Sequence, residues 1–166
     1  MSITKDKKTL AYALGNGIVF FKELDDLEKN ISEVLVSSFI KKIEFITLKE
    51  EVHLLCSTKK SIVVISLKER KVIQTYSYEI KENINDFLSI PKENYLFVIT
   101  QGGELLIWNT ENETLIKKIV LGRSLISIKY NIKNKILILN ELNGQIHFLS
   151  IQNELKKTRL EDNCFR

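Results

Sequence analysis

The side chains best suited to chemistry are two histidines, one of which stands close to a cysteine. His53 and Cys56 lie three residues apart in the apolar segment "EVHLLCS", and His147 lies in "QIHFLS". A histidine beside a thiol can act as a base toward a nucleophile. Residues three apart in a strand point to opposite faces, however, so this pair is predicted to be packed in a sheet. Because the two histidines stand on separate segments, no paired histidine metal site is predicted.

Carboxylates and glycines offer the remaining candidate chemistry. The segment "LDDLE" places Asp25, Asp26 and Glu28 together, but it lacks the spaced oxygen ligands and the glycine of a calcium loop. The glycine-rich "GNG" and "GG" precede apolar strand-like runs instead of helices, which favours hairpin turns over phosphate cradles. The sequence therefore predicts no enzyme, no cofactor and no metal site.

Basic residues form a further candidate site, for a partner protein or for RNA. The chain has a net charge of +4 and a pI near 8.9. The residues predicted to make this contact lie on or beside predicted outer strands: Lys117, Lys118, Lys156, Lys157 and Arg159. Such lysines would follow a phosphate backbone. They would also protect an edge strand from pairing with another sheet, which is the interpretation that we favour.

The composition is that of one folded domain, predicted to span residues 1–166. Of the 166 residues 44% are hydrophobic, which is enough for a core. The N-terminal segment "MSITKDKKTLAYALGNG" lacks the apolar core of a secretion signal, and no run is long enough to span a bilayer. We therefore expect a soluble protein of the cytoplasm or the nucleus, with Cys56 and Cys164 as free thiols.

A repeat organises these residues. Four turns each lead into an apolar run, and the predicted structural anchors of these runs lie 44, 43 and 41 residues apart at Ile18, Ile62, Leu105 and Ile146. Another apolar segment precedes each turn. Three of the turns contain Gly-Asn-Gly, Gly-Gly or Asn-Gly, which are strong hairpin signals, whereas the second contains a lysine pair.

Each hairpin is flanked by two further strand-like segments, so the unit has four short strands in about 42 residues. The predicted units are roughly residues 8–38, 39–80, 83–121 and 123–161. The first lacks an opening strand, and the count is 15 strands. Apolar hairpin strands are predicted to be covered on both faces, and the outer strands to face water. The segment "ELDDLEKNISEVL" is either a helical turn or, as we favour, a loop into a strand.

This repeat pattern of strands and turns resembles that of the WD-repeat β-propeller family, in which each unit has four strands and an apolar run that ends in Trp-Asp. The best match is "ELLIWN", where Trp108 is a fifth structural anchor and Asn109 stands at the Asp position. The other units carry Phe20-Phe21 or Phe21-Lys22, Ile65-Ser66 and Leu149-Ser150 there. The resemblance implies an all-β fold of about four antiparallel four-stranded blades, in a half or partial ring.

The resemblance also implies a function, a non-catalytic scaffold for protein–protein interaction in a larger complex. Two alternatives stay open: an accessory RNA-binding subunit of the tRNA methyltransferase partner type, and a component of a membrane coat or nuclear pore. Three arrangements of the blades also stay open. The chain is part of a longer propeller, completes a ring with a second half-propeller or a copy of itself, or closes with four blades.

Overall fold

The protein is described from a computed structural model, which covers residues 1–26, 28, 31–36, 39–48, 50–77, 79–153 and 155. Fifteen β-strands are present in these residues. The chain divides into two compact units, unit 1 over residues 1–84 and unit 2 over residues 85–166. In every sheet, strands that follow each other in sequence are neighbours. No helix in the described residues is long and apolar enough to cross a membrane.

Unit 1 contains two four-stranded sheets. Sheet 1 consists of β1 (Ser2–Ile3), β2 (Thr9–Ala13), β3 (Ile18–Glu23) and β4 (Ser32–Leu35). Sheet 2 consists of β5 (Lys42–Leu48), β6 (Glu51–Ser57), β7 (Ile62–Ser66) and β8 (Lys71–Tyr76). Valine, isoleucine and aromatic residues are frequent in these strands, as expected for pleated, packed segments.

Unit 2 contains a four-stranded and a three-stranded sheet. Sheet 3 consists of β9 (Ile84–Ile90), whose first residue belongs to unit 1, β10 (Tyr95–Thr100), β11 (Glu104–Asn109) and β12 (Thr114–Val120). Sheet 4 consists of β13 (Leu125–Asn131), β14 (Ile136–Glu141) and β15 (Ile146–Ser150). A short 3-10 helix, Pro91–Glu93, joins β9 to β10. The predicted all-β fold of four blade-type sheets is confirmed.

Two details of the predicted strands are wrong, although the count of 15 agrees. The first sheet does have an opening strand, because Ser2 pairs with Ala11 and Ile3 with Leu10. After β15 the chain becomes helical at residues 151–153 and 155, where a polar turn and the start of a fourth strand were predicted. The remainder of that predicted strand lies outside the described residues. In "ELDDLEKNISEVL" no described residue is helical, and Ser32 begins β4.

The backbone conformation of the hairpin turns explains why three of the four turns contain a glycine. Gly17, Gly103 and Gly144 have φ angles of 82°, 79° and 87°, and each donates its N–H to the carbonyl three residues earlier. The lysine-pair turn has no such glycine. The Thr58 N–H donates to the Ser61 carbonyl at 2.9 Å, and the two hydroxyl groups lie 2.7 Å apart, so side chains close this turn.

The core of each unit lies between its two sheets. In unit 1, Ala11, Val19 and Phe21 point from sheet 1 into a cluster with Leu54 and Ile65 of sheet 2. Successive residues of a strand point to opposite faces, so Tyr12 and Phe20 point away from this cluster. In unit 2 the corresponding cluster joins sheets 3 and 4, and its members are Phe97, Ile99, Leu105, Ile107, Leu125, Ile128, Leu137, Leu139 and Ile151.

Candidate functional site

The histidine and cysteine of β6 are both buried in the sheet. His53 pairs with Ser66 and Cys56 with Val63 across β7, and the imidazole Nδ1 lies 3.0 Å from the Glu51 carbonyl oxygen. Cys56 is fully buried, and this burial raises the pKa of its thiol to about 12. A thiol that stays protonated at neutral pH is a poor nucleophile. The packing of this site favours a structural role for Cys56.

The second histidine has a partner that the sequence reasoning missed. The Nε2 atom of His147 lies 2.5 Å from Oε1 of Glu141, a carboxylate that is only 2% exposed, across the turn between β14 and β15. The other oxygen, Oε2, is buried without a hydrogen-bond partner. The two residues flank the Asn143-Gly144 turn, and this hairpin spacing was the available sequence signal. The pair ties the hairpin together.

The acidic segment "LDDLE" behaves as a turn at the surface. Asp25 lies 3.8 Å from the ammonium of Lys8, with both side chains exposed, and Asp26 accepts a hydrogen bond from the Glu28 backbone at 3.2 Å. Among the described residues, no group of three or more histidine, cysteine or carboxylate side chains is placed to hold a metal ion.

The predicted basic contact is described only in part. Lys117 and Lys118 are half-buried residues of β12, and the Lys118 ammonium lies 2.5 Å from the Glu104 carboxylate on the neighbouring strand. This ion pair takes up one of the charges that a phosphate would need. The other three residues, Lys156, Lys157 and Arg159, lie outside the described residues.

The repeat anchors occupy equivalent places in three sheets and are displaced in the first. Three anchors pair with the last or the penultimate residue of the preceding strand: Ile62 with Ser57, Leu105 with Ile99, and Ile146 with Asn140. In sheet 1 the corresponding pair is Ala13 with Val19, one residue after the predicted anchor Ile18. The anchor was predicted one residue too early because Ile18 is apolar, although it stands at the position that Glu104 occupies in sheet 3. Ile62 and Leu105 are fully buried, whereas Ile146 is 55% exposed.

Because of the same register, the residue of sheet 1 that is equivalent to Trp108 is not the one that the sequence predicted. Trp108 is 2% exposed and pairs with Leu96, as Ile65 pairs with Leu54. In sheet 1 the pair at this position is Leu10 with Lys22, so neither Phe20 nor Phe21 takes the tryptophan position. Phe21 points instead to the opposite face, into the core of unit 1.

In the described residues, the outward faces of sheets 1 and 4 expose apolar side chains. The open face of sheet 4, which points away from sheet 3, consists of Ile136, Ile138, Asn140, Ile146, Phe148 and Ser150 on β14 and β15 and of Ser127, Lys129 and Asn131 on β13; Phe148 is 66% exposed. The open face of sheet 1, which points away from sheet 2, consists of Ile3, Leu10, Tyr12, Ile18, Phe20, Lys22, Glu33 and Leu35. Leu35 is 66% exposed, and the rings of Tyr12 and Phe20 stack with centroids 5.2 Å apart.

Comparison with known proteins finds likeness in structure alone. No family model and no curated protein matches the sequence. The C-terminal WD40 domain of Sif2 matches with a TM-score of 0.74 and 12% identity, over 89% of this chain and 42% of that one. The WD40 domain of Toxoplasma gondii coronin matches with a TM-score of 0.70 and 14% identity, over 86% and 40%.

A third match is an enzyme, the dihydro-heme d1 dehydrogenase NirN in complex with DHE. Its TM-score is 0.78 at 12% identity, over 91% of this chain and 34% of that one. The chain thus spans 34–42% of the lengths of these structures. The sheet layout and the two WD40 domains together identify the fold: this chain has a WD40-like β-propeller fold with degenerate repeats.

Proposed function

We propose that this chain is a non-catalytic scaffold that mediates protein–protein interaction within a larger complex. The observation that carries the proposal is the open face of sheet 4, where Phe148 and Ile146 are 66% and 55% exposed on a WD40-like fold. Contiguous apolar patches on a protein surface mark interaction sites, whereas scattered single apolar residues do not. Aromatic residues in particular contribute strongly to protein interfaces.

The surroundings of the chemical groups support the non-catalytic part. Cys56 is buried with a raised pKa, His53 is buried against a backbone carbonyl, and His147 is engaged by Glu141. A cavity in unit 1, lined by residues that include Thr4, Thr9 and Phe45, has a volume of about 190 Å³. Small-molecule sites are usually larger, at about 300–1,000 Å³.

The experiment uses a photoreactive side chain placed on the open face. The full chain carrying Phe148→p-benzoylphenylalanine is irradiated in an extract of the source cells, and adducts are identified by mass spectrometry. The matched control is Ile132→p-benzoylphenylalanine, because Ile132 is an 80% exposed apolar residue in the turn after β13. We expect protein adducts from position 148 and few from position 132. Equal yields at the two positions, or none at either, would contradict an interaction through this face.

The RNA-binding alternative has less support. The ion pair between Lys118 and Glu104 occupies part of the proposed basic surface, and three of the five residues of that surface lie outside the described residues. A role in a membrane coat or nuclear pore would also be served by an apolar open face, and the identity of the adduct at position 148 separates it from other complexes. For the scaffold we propose a location in the cytoplasm or the nucleus.

A further inference from the structure

The open face of sheet 4 has the architecture of a face that another sheet covers. In sheet 3, the pairs Phe97–Ile107 and Ile99–Leu105 form the surface that packs on sheet 4. The pairs Ile138–Phe148 and Asn140–Ile146 occupy the same register positions in sheet 4, with three of the four residues apolar. The covering partner of this face is therefore expected to be a sheet of the same kind.

The face that covers sheet 3 defines what such a partner must present. That surface, on sheet 4, includes the pairs Leu137–Leu149 and Leu139–His147. The register-equivalent pairs on sheet 1 are Leu10–Lys22 and Tyr12–Phe20. These belong to the open face of sheet 1, so the chain itself carries the complementary face. Lys22 can supply the apolar stem of its side chain while its ammonium reaches toward the rim.

From this register we propose that the open face of sheet 4 binds the open face of sheet 1 of a second copy of the chain. The inference rests on the proposed function, because it names the partner of the same face. Since the two faces differ, the contact is heterologous, joining one copy head to tail with the next. A lysine at the position of Leu149 makes this contact weaker than the one between sheets 3 and 4. The association is therefore expected to depend on concentration.

Sedimentation velocity of the purified full chain over a wide range of concentration tests the proposal. We expect reversible association of the wild type. Phe148→Glu or Phe20→Glu alone should raise the dissociation constant at least about tenfold, because each puts a charge into a buried aromatic contact. Ile132→Glu, at an exposed apolar position outside both faces, should leave it unchanged.

Mixing the two variants gives the sharpest outcome. The Phe148→Glu chain keeps an intact sheet 1 face, and the Phe20→Glu chain keeps an intact sheet 4 face, so an equimolar mixture should form a complex of two chains. A wild type that stays monomeric at every concentration would overturn the proposal, as would a mixture that remains dissociated. If Phe148→Glu lost association while Phe20→Glu kept it, the contact would join sheet 4 of one copy to sheet 4 of another. That result would also overturn the proposal.

Circular dichroism establishes that each variant is folded. If Phe20→Glu unfolds, Leu35→Glu replaces it, because Leu35 belongs to the same face and is 66% exposed. The crosslinking experiment separates the two proposals. A monomeric wild type whose position 148 still captures a different protein would overturn self-association and leave the scaffold function standing. The absence of both association and adducts would overturn both.

Discussion

At the scale of single residues, Gly103 meets two requirements that other residues cannot meet together. Its φ of 79° lies in the left-handed region, and a Cβ built on it would lie 2.3 Å from the Arg123 carbonyl oxygen and 2.4 Å from the Arg123 backbone nitrogen. Gly144 closes the equivalent turn of sheet 4 with a φ of 87°, but nothing lies within 4 Å of its added Cβ. The two turns share a conformation and differ in their surroundings.

This difference predicts unequal costs for the same substitution. Gly144→Ala should lower the free energy of unfolding by about 1–2 kcal/mol, the cost of a left-handed conformation. Gly103→Ala should cost at least about twice as much, because the backbone of Arg123 must also move. Chemical denaturation of both variants measures this. Equal losses would show that the approach of Arg123 contributes nothing to the requirement for glycine.

At the scale of elements, the first strands of sheets 3 and 4 are joined by side chains of β9. Asn85 donates from Nδ2 to the Leu125 carbonyl at 2.7 Å. Asp86 accepts from the Ile128 backbone N–H at 3.2 Å through one oxygen and from the Phe87 N–H at 2.9 Å through the other. Ile128 is 1% exposed, so its N–H has no ready access to water if this acceptor is lost. The bonds set the position of β13 relative to β9.

Asp86→Ala is therefore expected to destabilise the protein by about 1–3 kcal/mol, the cost of an unsatisfied buried donor. Asp86→Asn is the control, because it keeps one carbonyl oxygen as an acceptor, and it should cost less. Chemical denaturation followed by the fluorescence of Trp108, the single tryptophan, reports the change. An alanine variant as stable as the wild type would mean that Ile128 finds another acceptor.

At the scale of the whole molecule, several cations of the described residues are paired with carboxylates. The net charge is +4, yet Lys118 pairs with Glu104, Lys71 with Glu69 and Arg70 with Glu23. Arg70 also stacks its guanidinium over the ring of Phe21, 4.5 Å from the ring centre. Cations held by carboxylates in this way contribute less to phosphate binding than unpaired ones do.

The double variant Lys117→Gln, Lys118→Gln should leave the salt dependence of tRNA retention unchanged. Glutamine avoids the repulsion of Glu104 that a charge reversal at position 118 would create. The control replaces two exposed turn lysines, Lys59 and Lys60, with glutamine. Filter binding across salt concentrations measures the slope. A fall of about two in the slope, for the β12 variant alone, would favour RNA binding over the scaffold function.

Much of the fold could be predicted from local pattern. Runs such as "LLIW" and "IVVI" and the glycine turns carry their own conformational preferences, so the hairpins were identified. The opening strand of sheet 1 was missed because Ser2–Ile3 is too short to show a pattern. The sequence predicted a partial ring without identifying the candidate surface on sheet 4. Its residues, Phe148 among them, could not be assigned because alternation alone does not say which face of a strand is covered.

The sequence by itself determined the repeat, the four hairpins and the glycines that turn them, because these depend on neighbours along the chain. The tertiary structure decided what depends on register across strands. A shift of one residue turns every side chain of a strand to the other face, which is why Val19 replaces Ile18 and why Lys22 takes the tryptophan position. Cross-strand register also brings Lys118 to Glu104, a partner that distance along the chain does not reveal.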